Sequence, residues 1–495
     1  MSVNTREQNQ KLGLLALVAI VVSSMIGAGI DGLPQNMAQQ SALGPVVIAW
    51  LVAGFGMFFI AKTFIILNTI RPELKDGIYM YAKEGFGPYV SFTVAWGYWL
   101  MCIFSNVAYG VMLMDAMNYF FPGNFTGGNN FASIIGATLL IWGFNFLVLS
   151  GAKDASLVNT IGTVAKLIPL VIFIFIVVYF MKFTQLNINV WGDATTESAA
   201  RLGSVYSQIM SPLDIALWCF IGIEGAVVLS ARAKKASDVG KATIWGFIIS
   251  LALCIFVSVL PFGVMTQYEL SQVETPSTAG VLKYLTGEWG ELFISFGVII
   301  SVLSAWLAWT MLCAEVPMSA AQNGTFPKLF AKQNKNKAAS VALYISSALM
   351  QLTLVLVYYS NDAWITLLDI SSLTVLPAYL TSTLYLLKIA VTNEFSVYSQ
   401  RGRWIAIISG FIGAFFCIFM FCISGLQYVA MVPLFLTAGI PVYLYTCWKN
   451  KKTDKIIKQG GNLYFSKIEY LVLFVLLCMD VISICLYYYD IIRFN

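Results

Sequence analysis

The run Ser24-Met25-Ile26-Gly27-Ala28-Gly29-Ile30 interrupts the first of many long apolar segments, and it constrains the fold more than any other feature. Glycine-rich backbone in the middle of a membrane leaves N–H and C=O groups unpaired, and lipid cannot pair them. Such a break persists only where it lines a cavity or holds a ligand. A second break, Phe220-Ile221-Gly222-Ile223-Glu224-Gly225, stands near the start of the next five segments. Two broken helices in corresponding positions predict a secondary transporter with a substrate site at the membrane midplane.

The composition limits the class of protein. Apolar residues make up 59% of the 495 positions and charged residues 11%, against about 25% charged in a soluble domain, and the mean hydropathy is +0.79. Histidine is absent and the nine cysteines form no CxxC pair, which argues against zinc chemistry and a Ser-His-Asp enzyme. No repeated pore motif or charged ring suggests a channel. We therefore expect a polytopic membrane protein that is not an enzyme, needs no cofactor and binds no nucleic acid.

Apolar segments of about 20 residues are long enough to cross a bilayer. Lysine and arginine concentrate in alternate loops between these segments, which places the N-terminus in the cytoplasm by the positive-inside rule. Thirteen segments qualify, and the last of them would put the C-terminus outside: 12–36, 42–66, 88–121, 131–150, 156–181, 207–230, 241–266, 289–320, 338–359, 363–388, 404–424, 426–448 and 466–492.

The order of these segments predicts a single transmembrane domain over residues 1–495. Because an odd number of spans reverses topology, the first five (12–181) and the next five (207–388) would form two inverted repeats. The spans in 404–492 would be peripheral. The polar stretches 182–203, 267–288 and 449–465 are predicted to be loops. The fold class is thus all-α and polytopic, with 12–13 spans and discontinuous helices 1 and 6.

The first break offers a pocket for an α-amino acid. Gly27, Ala28 and Gly29 would expose amide N–H groups at the start of a half-helix, where the helix dipole favours a carboxylate. The carbonyls left free before each break, Ile26 among them, suit an ammonium group. The alternative is a glycine kink for tight helix packing.

Three ionisable residues near the breaks are functional candidates because charge inside a membrane is costly. Glu224 could attract a cationic substrate, carry a proton or close a gate, or it could only cap unwound backbone. Asp31 could be an N-cap for the half-helix or an extra anionic contact for a cationic substrate. Lys166 could lie against the first break in the place of a sodium ion, or extend to the inner membrane surface. Trp218, beside the second break, could stack on a cation.

These residues resemble the amino acid–polyamine–organocation superfamily, and within it the basic amino acid/polyamine antiporters. The resemblance covers essentially the whole chain and implies a LeuT-like fold of five plus five spans. The motifs that carry it are Ser24 to Gly29 with Leu33-Pro34-Gln35-Asn36-Met37-Ala38, Tyr79 to Gly87, Trp96-Gly97-Tyr98-Trp99, Phe220 to Ala226 and Asp238 to Thr243. They look most like bacterial arginine–ornithine antiporters.

The resemblance implies roles for individual residues. Tyr98 would gate the site and Asn106 would contact a guanidinium group. Three matches lie in helix 6: the stacking tryptophan (Trp218), the residue that supplies a backbone carbonyl to the substrate (Ile221) and the gate glutamate (Glu224). The remaining matches are a substrate-lining tryptophan (Trp309), a pocket serine (Ser371 or Ser372) and the lysine that replaces sodium (Lys166).

Two departures from the pattern affect the expected substrate. Asp31 stands where such proteins usually have phenylalanine or another apolar residue, and Ala28 replaces a serine found in arginine–agmatine exchangers. From the resemblance as a whole, we expect an antiporter of the bacterial inner membrane that exchanges arginine for ornithine by alternating access. A proton-coupled or uniport permease for lysine, histidine or a diamine remains the alternative. The expected partners are amino acids and the lipid bilayer, and a homodimer is left open.

Overall fold

A computed structural model describes residues 13–27, 29–74, 78–186, 190–192, 202–228, 233–360, 363–392, 394, 400–451, 465–489 and 491–492. The described residues form twenty-one α-helices and a few short 3-10 turns. The helices are α1 Leu14–Met25, α2 Gly29–Gln40, α3 Leu43–Ile70, α4 Ile78–Phe86, α5 Pro88–Met117, α6 Phe131–Ser150, α7 Ala152–Phe180, α8 Phe183–Leu186, α9 Val205–Met210, α10 Leu213–Cys219, α11 Gly225–Val228, α12 Ala236–Val259, α13 Gln267–Ser271, α14 Ser277–Thr286, α15 Glu288–Gln322, α16 Ser340–Val357, α17 Ala363–Val391, α18 Gln400–Ile423, α19 Leu426–Thr437, α20 Ile440–Lys451 and α21 Lys467–Tyr488.

The membrane-spanning helices confirm an all-α polytopic membrane protein. Eleven helical segments in the described part of the chain are long and apolar enough to cross a bilayer, and the bent pair α1–α2 would add a twelfth span. The predicted span at 207–230 is divided into the short helices α9, α10 and α11, with turns at 221–224. The pairing of the spans into two inverted repeats stays a prediction.

Burial separates a central group of helices from a peripheral one. In the most apolar stretch of α5, 83% of the residues are buried, and the value is 72% for α17 and 61% for α15. The corresponding share for α21 is only 11%, so this helix exposes most of its surface to lipid. The functional candidates Tyr98, Asn106 and Trp309 lie on α5 and α15, inside the central group.

The last helix is nevertheless tied to the centre by a buried carboxylate. Glu469, in the first turn of α21, accepts a hydrogen bond from the backbone N–H of Tyr89 at 2.5 Å. Tyr89 is the second residue of α5, which follows Gly87 in a left-handed conformation (φ +106°). A Cβ atom at position 87 would stand 2.6 Å from the Glu469 carboxylate, so glycine is needed there. An acidic group at a helix N-terminus is favourable because it meets the positive end of the dipole.

The loop prediction for 267–288 was wrong, because this stretch contains α13 and α14. A capping box starts α13: the Thr266 hydroxyl accepts from the N–H of Glu269, and the Glu269 carboxylate accepts from the N–H of Thr266. Both helices pack against α2. The sequence does not reveal these two helices because they are too short and too polar to be membrane spans. Their apolar contacts appear only in the folded molecule.

Candidate functional site

The first break separates α1 from α2, whose axes differ in direction by 42°. Gly27 and Gly29 are both in close contact with aromatic rings. A Cβ atom on Gly27 would lie 2.5 Å from the Tyr109 hydroxyl, and one on Gly29 would lie 1.9 Å from the Trp218 ring. Close approach of the backbone therefore requires glycine at both positions. The predicted contact of Ala28 falls outside the described residues.

Lys166 lies against this break and not at the membrane surface. Its side chain is 1% exposed. The ammonium group donates to the Ser23 carbonyl at 2.9 Å, to the Ser23 hydroxyl at 3.1 Å and to the Ile26 carbonyl at 2.5 Å. These carbonyls belong to the C-terminal end of α1, which carries the negative end of the helix dipole. An ammonium group thus pairs the backbone acceptors that the break would otherwise leave unsatisfied.

The second break is joined directly to the first. The turn Phe220–Glu224 links α10 to α11, with Gly222 in a left-handed conformation (φ +107°). The Ser24 hydroxyl lies 2.9 Å from the Gly222 carbonyl and 3.0 Å from the Val21 carbonyl. A Cβ atom at Gly222 would stand 2.7 Å from the Ser24 side chain. The two unwound segments therefore touch one another inside the bundle.

The carboxylate of Glu224 is fully buried and accepts three hydrogen bonds. One oxygen accepts from the Tyr98 hydroxyl at 2.7 Å. The other accepts from the Tyr379 hydroxyl at 2.8 Å and from the backbone N–H of Gly222 at 3.2 Å. Tyr98 belongs to α5 and Tyr379 to α17, so this carboxylate connects the second break to two central helices. Such hydrogen bonds offset part of the cost of burying a charge.

Asn106 and its neighbours bring polar atoms together between α5 and α15. The amide nitrogen of Asn106 donates to the Cys102 carbonyl at 2.7 Å, and its amide oxygen accepts from the Thr310 hydroxyl at 3.2 Å. Thr310 follows Trp309, which is 1% exposed and whose indole N–H has no hydrogen-bond partner among the described residues. Asn106 and Trp309 are thus both buried at the contact between these two helices.

The two candidate serines on α17 differ in their surroundings. Ser371 is fully buried, and its hydroxyl has no hydrogen-bond partner within the described ranges. The Ser372 hydroxyl is 3.5 Å from the carbonyl of Asp214 on α10. An unpaired buried hydroxyl is costly unless a ligand or water pairs it. Ser371 is therefore the better candidate for a ligand contact.

Trp218 and Ile221 occupy the approach to the second break. The Trp218 ring centroid is 6.1 Å from that of Tyr109 and 5.4 Å from that of Trp364. The backbone N–H of Ile221 donates to the Trp218 carbonyl at 3.1 Å. Together with Gly29, whose backbone the Trp218 ring covers, these residues close the space between α2 and α10.

Asp31 is buried, with 3% of its surface exposed. Its carboxylate accepts from the Thr278 hydroxyl on α14 at 3.2 Å. The predicted contact between Asp31 and substrate stays a prediction.

A model of the family described as amino acid permease matches residues 12–484. This chain belongs to the amino acid permease family. Among similar proteins, the arginine/agmatine antiporter of Chlamydia pneumoniae is 49% identical over 91% of this chain and 92% of its own length. That of Chlamydia abortus (strain DSM 27085 / S26/3) is 50% identical over 89% and 91%. That of Chlamydia caviae (strain ATCC VR-813 / DSM 19441 / 03DC25 / GPIC) is 46% identical over the full length of both chains.

The permease is a multi-pass membrane transporter and not an enzyme. Sequence reasoning missed Tyr109, Thr310 and Tyr379 at its candidate site. Each had a signal in helical spacing: Tyr109 lies three residues after Asn106, Thr310 is adjacent to Trp309, and Tyr379 lies seven residues after Ser372. No group of three or more metal-ligating Cys, Asp or Glu side chains occurs within the described part of the permease.

Proposed function

We propose that this permease is an antiporter that exchanges arginine for agmatine, the amine formed when arginine loses its carboxyl group. The observation that carries the proposal is the identity of 46–50%, over nearly the whole chain, with relatives named arginine/agmatine antiporters. The geometry supports a cationic substrate, because the buried carboxylate of Glu224 accepts its three hydrogen bonds from uncharged groups. A positively charged substrate could therefore balance its charge.

The head group of arginine would bind between the two breaks. Its carboxylate would accept from the amide N–H groups of Gly27, Ala28 and Gly29 at the start of α2. Its ammonium group would turn to the second break, near Ile221, because Lys166 already donates to the Ile26 carbonyl. The amide N–H groups of the first break would thus bind the carboxylate, and the carbonyl groups of the second break would bind the ammonium group.

The guanidinium group would lie between α5, α15 and α17. The face of Trp309 provides a surface for cation–π stacking. The amide oxygen of Asn106 and the unpaired hydroxyl of Ser371 provide acceptors. Trp218 would cover the substrate from the other side. Arginine and agmatine share the guanidinium group, so one such pocket serves both.

Glu224 would act as the gate residue, with Tyr98 and Tyr379 as its partners. Its carboxylate connects the second break to the central helices α5 and α17, so breaking these bonds would release the break from both helices. Alternating access would then follow from movement of inverted repeats (12–181 and 207–388) around a fixed site.

Lys166 supports exchange without sodium. Its ammonium group occupies the backbone carbonyls at the first break, which are the ligand type that Na⁺ requires. Exchange then needs only that the empty carrier reorient slowly. We place the protein in the bacterial inner membrane with the N-terminus in the cytoplasm, since the basic residues lie in alternate loops.

Counterflow in proteoliposomes tests the function. Vesicles loaded with unlabelled agmatine, with ornithine or with buffer are mixed with labelled arginine, without a sodium or proton gradient. We expect rapid entry of label into agmatine-loaded vesicles and little into empty ones. Entry dependent on ornithine alone would favour arginine–ornithine exchange. Equal uptake into empty vesicles would refute obligatory exchange, and stimulation of that uptake by a proton gradient would favour the proton-coupled alternative.

A further inference from the structure

Asp31 and the substrate-facing Gly29 lie on opposite sides of the half-helix α2. Two residues along an α-helix correspond to a rotation of about 200°. The Trp218 ring covers Gly29, whereas the Asp31 carboxylate accepts a hydrogen bond from Thr278 on α14. The second carboxylate oxygen of Asp31 is buried and has no hydrogen-bond partner within the described residues. Asp31 therefore connects α2 to the segment behind it.

A serine of the same segment enters the backbone of α2. The Ser277 hydroxyl accepts from the N–H of Gln35 at 3.1 Å and lies 3.2 Å from the Asp31 carbonyl, to which it donates. In a regular helical turn these two backbone groups bond to each other, because they are four residues apart. Pro34, which has no N–H, lies directly before Gln35. Insertion of a side chain into the ladder at such a point sets the local bend of a helix.

Two further hydrogen bonds complete the connection. The Thr275 hydroxyl donates to the Gln35 side-chain oxygen at 2.9 Å, and the Gln267 amide donates to the Ala38 carbonyl at 2.5 Å. Five hydrogen bonds thus join α2 to residues 267–278 over about two turns of the helix. These bonds fasten the 12-residue half-helix α2 to α13, to α14 and to the residues between them.

Lys166 holds the other side of the break. Its ammonium group binds the end of α1, while Asp31 lies in the first turn of α2. The direction of the amide N–H groups between them depends on where α2 begins. Displacement of α2 by less than 1 Å would lengthen the hydrogen bonds that these groups make to a ligand.

We propose that Asp31 is a positioning residue: held by Thr278, it fixes α2 against α13 and α14 so that the amide N–H groups at the first break stay aimed at the carboxylate of the substrate. The proposal rests on the proposed function for the position of that carboxylate. It makes Asp31 a determinant of how well arginine is bound relative to agmatine, because agmatine has no carboxylate.

Two variants separate positioning from direct contact with a cation. Thr278→Val removes the hydroxyl donor and leaves the Asp31 charge, while Asp31→Asn keeps an acceptor for Thr278 and removes the charge. Thr286→Val is the matched control, since the Thr286 hydroxyl on the same helix α14 bonds only within that helix, to the Leu282 carbonyl. Equilibrium binding of labelled arginine and agmatine is measured on each purified protein in nanodiscs.

We expect Thr278→Val to weaken arginine binding about fivefold to tenfold, within the range for loss of one ordinary hydrogen bond. Agmatine binding should change by less than about twofold. Asp31→Asn should have a smaller effect on arginine than Thr278→Val. Asp31→Ala and the double variant Asp31→Ala/Thr278→Val should bind arginine equally, because the two side chains act through one contact.

Hydrogen exchange of the amides of α2 gives a readout that needs no substrate. Exchange should be faster in Thr278→Val than in Thr286→Val or wild type. Unchanged exchange would overturn the positioning role, even if wild-type protein bound neither ligand and the proposed function had failed. Weaker agmatine binding in Asp31→Asn, with normal arginine binding in Thr278→Val, would instead assign Asp31 to direct contact with the cation.

Discussion

Replacement of Gly29 by alanine tests the close packing of the first break against Trp218. The added Cβ atom would stand 1.9 Å and 2.5 Å from two carbon atoms of the Trp218 ring. Carbon atoms in contact are normally about 3.5–4.0 Å apart, so the ring would have to move by about 1.5 Å. Movement is opposed on both sides, because Tyr109 and Trp364 flank the ring at centroid distances of 6.1 Å and 5.4 Å.

Overpacking of this kind costs about 1–3 kcal/mol. The added methyl group should lower the free energy of unfolding. It should also shift the Trp218 ring, which covers the first break, and so change the geometry of the candidate site. We expect Gly29→Ala to lower the thermal unfolding temperature and to weaken arginine binding about tenfold, equivalent to about 1.4 kcal/mol. The measurements are thermal unfolding in detergent and equilibrium binding of labelled arginine.

Gly143→Ala is the matched control. Gly143 lies within the exposed side of α6, and a Cβ atom there would meet no atom within 4 Å. Alanine should be neutral or slightly stabilising at that position, because it is the better helix former. Gly29→Ala combined with Trp218→Leu should cost less stability than the sum of the single variants. Wild-type affinity and stability in Gly29→Ala would refute the packing argument.

Three further predictions follow from the charges. Glu224→Gln should slow exchange far more than it lowers the unfolding temperature, because an amide cannot accept from both tyrosine hydroxyls and Gly222 as the carboxylate does. Counterflow rates and unfolding temperatures of the variant and the wild type check this. A wild-type rate of counterflow would refute the gate role. Lys166→Met should destabilise the fold by about 1–3 kcal/mol per unpaired carbonyl, measured by unfolding in the presence and absence of sodium; unchanged stability would show that the break does not depend on Lys166. Agmatine is a dication and arginine carries one net positive charge, so each exchange moves one positive charge out of an agmatine-loaded vesicle. An inside-positive potential should therefore accelerate arginine uptake into these vesicles, with a driving force of at most about 2.3 kcal/mol per 100 mV, and should have no effect on ornithine-loaded vesicles. Equal responses of the two kinds of vesicle would exclude net charge movement that is specific to agmatine.

The sequence locates both breaks to within a residue or two. Glycine in an apolar segment is a local signal, and the observed interruptions at residues 26–27 and 221–224 fall within the predicted runs. The sequence also identifies Lys166 and Glu224, because charge is rare inside spans. It does not predict α13 and α14, which are short and polar and form through caps and contacts with α2. Nor does it show that Asp31 meets Thr278, since 247 residues separate them and only the tertiary fold brings them together.

The protein's own charges stabilise the broken helix before any substrate arrives. The ammonium group of Lys166 meets the negative end of α1, and the carboxylate of Asp31 lies at the positive end of α2. Both ends of the first break therefore meet a charge of favourable sign, which stabilises the break without a ligand. Preorganisation of this kind means that binding energy is not consumed in forming the site. Glu224 differs, because its three donors carry no formal charge. Under the proposed function, a cation at the second break would meet this carboxylate, which also connects the break to α5 and α17. Selection of a cationic substrate and release of the proposed gate would then depend on the same buried group.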